Sequence, residues 1–133
     1  MAPIARNIIA LVVGAAACII LNGLVLGVMM KLVPPPEGFI PEQPATYGLL
    51  ATKHYLAPFL AHALPSFIGG YLAAWIAATR RMTFALAVGA LHLLGGIAAA
   101  FLIPAPAWFI VVDLVLAYLP MAWLGGRLAL RRA

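Results

Sequence analysis

The sequence predicts an all-α polytopic membrane protein: four transmembrane helices in an antiparallel bundle, forming a single domain over residues 1–133. Three observations predict it. Of 133 residues, 66% are hydrophobic and only 8% are charged, where a soluble domain carries about a quarter charged residues. The mean hydropathy is +1.12. The few charges also stand in short clusters, between long stretches at 7–30, 54–79 and 82–126 that are uncharged or nearly so. With one cysteine and little polar chain, the composition excludes a disulfide scaffold, intrinsic disorder and a nucleic-acid binder built on a basic surface.

The elements follow in order from length. A helix rises 1.5 Å per residue and the bilayer core is about 30 Å thick, so about 20 apolar residues make one crossing. Asn7 to Met30, between Arg6 and Lys31, gives a first helix near 7–32. Its Ala15-Ala16-Ala17-Cys18 loosely resembles a lipoprotein signal, but the chain stays apolar through Met30, where a lipoprotein would begin a polar tether. Cys18 is therefore expected as a small buried residue within the helix. A proline-rich outer loop follows at 33–48, with Pro34-Pro35-Pro36, Pro41 and Pro44. Its triple proline predicts a stiff polyproline II strut, a connector before it is a lid. His54 to Thr79, between Lys53 and Arg80, gives a helix near 51–79. Met82 to Gly126 holds only Asp113 as a charge and is about twice the needed length. Pro104 and Pro106 remove amide donors and divide it, predicting helices near 82–103 and 106–129.

Orientation follows from the arginines. Arg6, Arg80, Arg81, Arg127, Arg131 and Arg132 collect on one side of such a bundle, whereas Lys31 and Lys53 on the other are offset by Glu37 and Glu42. Basic residues near helix ends are retained on the cytoplasmic side. The expected location is a bacterial inner membrane with both termini cytoplasmic, and the net charge of +5 reflects that bias and anionic lipid. Trp75, Trp108, Trp123, Tyr47, Tyr55 and Tyr71 lie mostly near helix ends and read as interfacial anchors.

Lipid does not drive helices together, so small residues and polar groups mark the contact faces. Asn7, Ala10, Gly14, Cys18 and Asn22 form such a seam on the first helix. On the second, His54, Pro58, His62, Ser66, Gly70 and Ala74 repeat every four residues. The third carries Ala85, Gly89, His92, Gly96, Ala99 and Ile103 at heptad spacing. On the fourth, Pro106, Ile110, Asp113, Ala117, Pro120 and Leu124 fall on one stripe. Counted from the outer helix ends, Asn22, His62, His92 and Asp113 all lie about 12 to 16 Å deep. Together they form the candidate site, a polar cluster near the middle of the bundle. A lone carboxylate there costs at least about 2.5 kcal/mol, so Asp113 is expected to pair with His62 or His92. Pro58, Pro65 and Pro120 each free a carbonyl that needs another donor.

In one reading the cluster is polar glue fixing helix register. In another it serves a small conduit or carrier for protons, ions or a small solute, working as a homo-oligomer within the lipid bilayer. The alternative is a non-catalytic accessory or assembly subunit of a larger membrane complex. A metal site on the two histidines and Asp113, or a b-type haem between His62 and His92 with Gly69, Gly70, Gly95 and Gly96 admitting the ring, ranks below these. No cofactor is expected, and Ser66 and Cys18 lack the context of a nucleophile.

The run His54-Tyr55-Leu56-Ala57-Pro58-Phe59-Leu60-Ala61-His62-Ala63-Leu64, the earlier Pro34-Pro35-Pro36-Glu37-Gly38, and Pro106-Ala107-Trp108-Phe109 through Asp113-Leu114 to Ala117-Tyr118-Leu119-Pro120-Met121-Ala122 carry a resemblance across nearly the whole chain. The sequence resembles a family of small four-helix bacterial inner-membrane proteins of unknown function. The resemblance implies the four-helix fold and assigns no residue a role.

Overall fold

Long apolar stretches have no water to satisfy their amides and so satisfy them internally. In the computed structural model, which describes residues 1–132, every such stretch is helical, and no strand occurs among the described residues. Helix α1 spans Pro3–Leu32. It starts earlier than the charge pattern predicts because Pro3 stands in its first turn, where a missing amide hydrogen costs nothing. It ends at Val33, directly before the triple proline. Two 3-10 turns, Pro44–Leu49 and Thr52–Tyr55, lead into α2, Leu56–Ile76. Helix α3 is Arg81–Leu102, and α4 (Ala107–Leu116) and α5 (Leu119–Arg131) follow. Four segments are long and apolar enough to cross a membrane: Pro3–Leu32, Thr52–Ile76, Arg81–Leu102 and Ala107–Arg131.

The last span lies where the sequence places it, over Ala107–Arg131, but its helix is interrupted at Ala117 and Tyr118. Pro120 has no amide hydrogen for the Leu116 carbonyl, and Tyr118 leaves the helical region at φ −111, ψ −81. The break turns the face of α5, so that Pro120 and Leu124, expected on the seam, are exposed. Ala122, Gly125, Gly126 and Ala129 are buried in their place.

Helix α2 packs against each of the other four. Its buried residues are small: Ala57, Ala61, Ala63, Ser66, Gly69, Gly70, Ala73 and Ala74, with Pro65. Small side chains let backbones approach, which raises the number of dispersion contacts that hold helices together in lipid. A Cβ on Gly14 would meet Val88 and the Gly69 carbonyl, and one on Gly70 would meet the Ala122 backbone. A Cβ on Gly125 would overlap the Phe67 carbonyl. Buried Cys18, Ala73 and Val88 form one core cluster, and Ala74, Ala85 and Ala129 another. Large apolar side chains such as Ile8, Ile19, Leu24, Phe101 and Leu102 point outward.

At the arginine-bearing end α1 clasps the corner between α2 and α3. Asn7 Oδ1 accepts from the amides of Ala78 and Thr79 at 2.9 and 3.3 Å, and its Nδ2 donates to Thr79 Oγ1 at 2.8 Å. Arg6 Nε donates to the Ile76 carbonyl at 2.8 Å. Arg80 completes the corner in the left-handed region, at φ 44 and ψ 43.

Candidate functional site

The heart of the site is the Asp113 carboxylate, held on α4 four residues before the break. His62 Nδ1 on α2 lies 2.8 Å from Oδ1, and the Tyr118 hydroxyl donates to Oδ2 at 3.1 Å. Asp113 is 7% exposed and His62 19%, so the contact is shielded from solvent, where a charge-assisted hydrogen bond is strongest. An ionised Asp113 accepts on both oxygens, which places the hydrogen of a neutral His62 on Nδ1 and leaves Nε2 as an acceptor.

His92 on α3 reaches the same place through Ser66. The Ser66 hydroxyl donates to the His62 carbonyl at 2.7 Å, and its oxygen lies 2.9 Å from His92 Nδ1. With its one hydrogen on the carbonyl, Ser66 accepts from His92 Nδ1–H, and His92 Nε2 is likewise left as an acceptor. The Tyr118 ring packs against both imidazoles, near-parallel to His62 at 5.3 Å and edge-on to His92 at 5.1 Å. The two imidazole centroids are 6.1 Å apart. No buried side-chain nitrogen or oxygen among the described residues lacks a partner, so the unbonded Nε2 atoms are accessible.

Both imidazoles line a cavity of about 540 Å³. Its floor is His62, His92, Asp113 and Tyr118. Its walls come from α1 (Ile19, Asn22, Leu26, Met30), α3 (Gly95, Ala99, Ile103) and α4 (Ile110, Leu114), and the loop residues Val33, Pro35, Phe39, Pro41, Tyr47 and Leu50 line its far end. The loop is ordered by its own contacts. Gly38 takes φ 85 in the Pro36–Phe39 turn, Thr46 Oγ1 bonds the amide and carbonyl of Ile40, and Tyr47 donates to the Pro41 carbonyl. It is thus a cover on the cavity as well as a connector. No lysine or arginine lines the space, and Asp113 is its only carboxylate. On the other side of the floor, Gly14 of α1, Gly69 and Gly70 of α2, Gly89 of α3 and Gly125 and Gly126 of α5 bring the helices into close contact.

Of the four residues expected to cluster, three converge. Asn22 lines the same cavity, but its Nδ2 donates to the Ala61 carbonyl at 2.9 Å. Pro65 cannot donate to that carbonyl from one turn on, so the freed carbonyl of the sequence reading finds its donor on the neighbouring helix. Sequence reasoning missed Tyr118. Its signal is a tyrosine midway along a span, too deep to be an anchor, one position beyond the seam residue Ala117. Ser66, expected on the seam of the second helix and lacking the context of a nucleophile, is the bridge to His92.

The metal and haem readings meet specific obstacles. No three His, Cys, Asp or Glu side chains among the described residues are grouped to hold a metal, and each Asp113 oxygen already has a partner within the protein. Of the glycines expected to admit a porphyrin, Gly69 is filled by Cys18 and Gly14, Gly70 by Ala122 and Gly96 by the Tyr118 ring; only Gly95 faces open space. No family model matches the chain, and neither a curated protein nor a solved structure does.

Proposed function

We propose that the protein is a carrier, or binding protein, for a small solute in a bacterial inner membrane, working as a homo-oligomer of antiparallel four-helix protomers with both termini cytoplasmic. The observation that carries the reading is the cavity whose floor presents two free imidazole Nε2 atoms, one of them backed by Asp113 and Tyr118. Concave, mostly apolar spaces with a few convergent polar groups are where small ligands bind. Intramembrane ionisable residues mark functional sites by default. An open ion conduit fits less well, because close-packed glycines seal the half beyond the floor. Self-association is supported by Gly23 and Gly27, one turn apart on α1 with nothing near them. The arginines of one end support the orientation.

The runner-up is an accessory subunit of a larger complex. Native purification followed by mass spectrometry separates the two. The expected result is a homo-oligomer that retains a small molecule, with retention lowered in Tyr118→Phe. A stoichiometric complex with a different protein and no retained molecule would replace this reading with the runner-up.

A further inference from the structure

Resting on the solute-binding reading, we infer that the ligand is a neutral, membrane-soluble molecule with a hydroxyl-bearing head, entering from the bilayer through the gap between α1 and α3. With no lysine or arginine on its lining, an anionic head would face Asp113 without a fixed positive charge beside it. A cationic head finds the one carboxylate already bonded at both oxygens. What remains unpaired at the floor is a pair of acceptors, Nε2 of His62 and of His92, while His54, which accepts from the Ala51 amide at Nδ1, lines the loop end. Hydroxyl groups are the neutral donors that complement them. The apolar walls of α1, α3 and α4 exclude a wholly polar solute, since its other groups would be buried without partners.

The route follows from exposure. Ile19 lines the cavity yet is 76% exposed, and Gly95 lines it and is also exposed. Both stand well inside their apolar helices, so the cavity meets the exterior sideways, at the depth of the lipid chains. The loop covers the end. Helices α1 and α3 meet beyond the floor, where Val88 packs against Cys18 and Gly14.

The test is binding to the purified full-length protein in nanodiscs, read by the side-chain nitrogen signals of His62 and His92. The probes are 1,2-dioctanoylglycerol and 1-decanol as hydroxyl-bearing lipids, their O-methyl ethers, decanoate, and decyltrimethylammonium. The expected result is a saturable shift of both Nε2 signals by at least one hydroxyl probe, weakened at least tenfold in its O-methyl ether. Response to the glycerol probe alone points to a glyceride source, and response to both points to a simple long-chain alcohol. Gly95→Phe, whose side chain enters open space, should keep the fold and the Asp113–His62 contact and weaken binding at least tenfold. Equal binding in Gly95→Phe would overturn the lateral route. Shifts by decanoate or the ammonium probe equal to those by the alcohols would overturn the ligand class while leaving solute binding intact. No shift with any probe, in a protein shown folded by its unliganded spectrum, would overturn this inference, and only a retained native molecule would then keep the broader reading.

Discussion

At the scale of single residues, two adjacent glycines make the sharpest comparison. A Cβ on Gly96 would overlap the Tyr118 phenol, whereas one on Gly95 meets nothing within 4 Å. Gly96→Ala is expected to displace Tyr118 from Asp113 and lose about 1–3 kcal/mol. Gly95→Ala should be neutral or gain up to about 1 kcal/mol from helix propensity. Thermal unfolding in detergent decides, and equal effects would show that Tyr118 does not occupy the space beside Gly96. Asn22 offers a second test. Asn22→Ala leaves the Ala61 carbonyl without a donor, costing about 1 kcal/mol. In a Pro65→Ala background the amide of residue 65 can serve that carbonyl, so the cost of Asn22→Ala should shrink. A double-mutant cycle with no coupling would mean that the two residues do not share the carbonyl.

At the scale of elements, the glycines of α2 and α5 set how closely the helices pack. Gly125→Ala drives a methyl group toward the Phe67 carbonyl, and backbone cannot swing aside as a side chain can. Its expected cost is about 1–3 kcal/mol, read as a lowered unfolding midpoint, whereas Gly48→Ala in the loop, with open space around it, should leave the midpoint nearly unchanged. A tolerated Gly125→Ala would contradict the α2–α5 contact. These seams show how far the sequence was legible. The buried Ala10, Gly14 and Cys18 of α1, and Ala85, Gly89 and Gly96 of α3, follow from helical period alone, because a regular helix carries its face from one turn to the next. The stripe through Pro120 and Leu124 failed for the same reason. Period cannot survive a break, and whether a proline bends a helix or ends it depends on its neighbours. Depth counting brought His62, His92 and Asp113 to one level. It could not tell that Asn22 would serve a backbone carbonyl, since both sites lie at that level.

At the scale of the whole molecule, glycine contacts close one half and the other half opens around an apolar cavity with a polar floor. Its orientation has a direct check. A Gln43→Cys side chain should react with a membrane-impermeant maleimide from outside the cell, and an Ala133→Cys side chain, beyond the described residues, only from the cytoplasmic side. Native Cys18, 2% exposed, serves as the silent control in both. Reaction of residue 43 from the cytoplasm would invert the topology. If Asp113 holds the floor through His62 and Tyr118, solid-state NMR of the protein in lipid will show through-space contacts from the Asp113 carboxyl carbon to His62 Nδ1 and to the Tyr118 ring, with His62 Nδ1 carrying a proton. An Asp113 carboxyl without contact to either residue would contradict it.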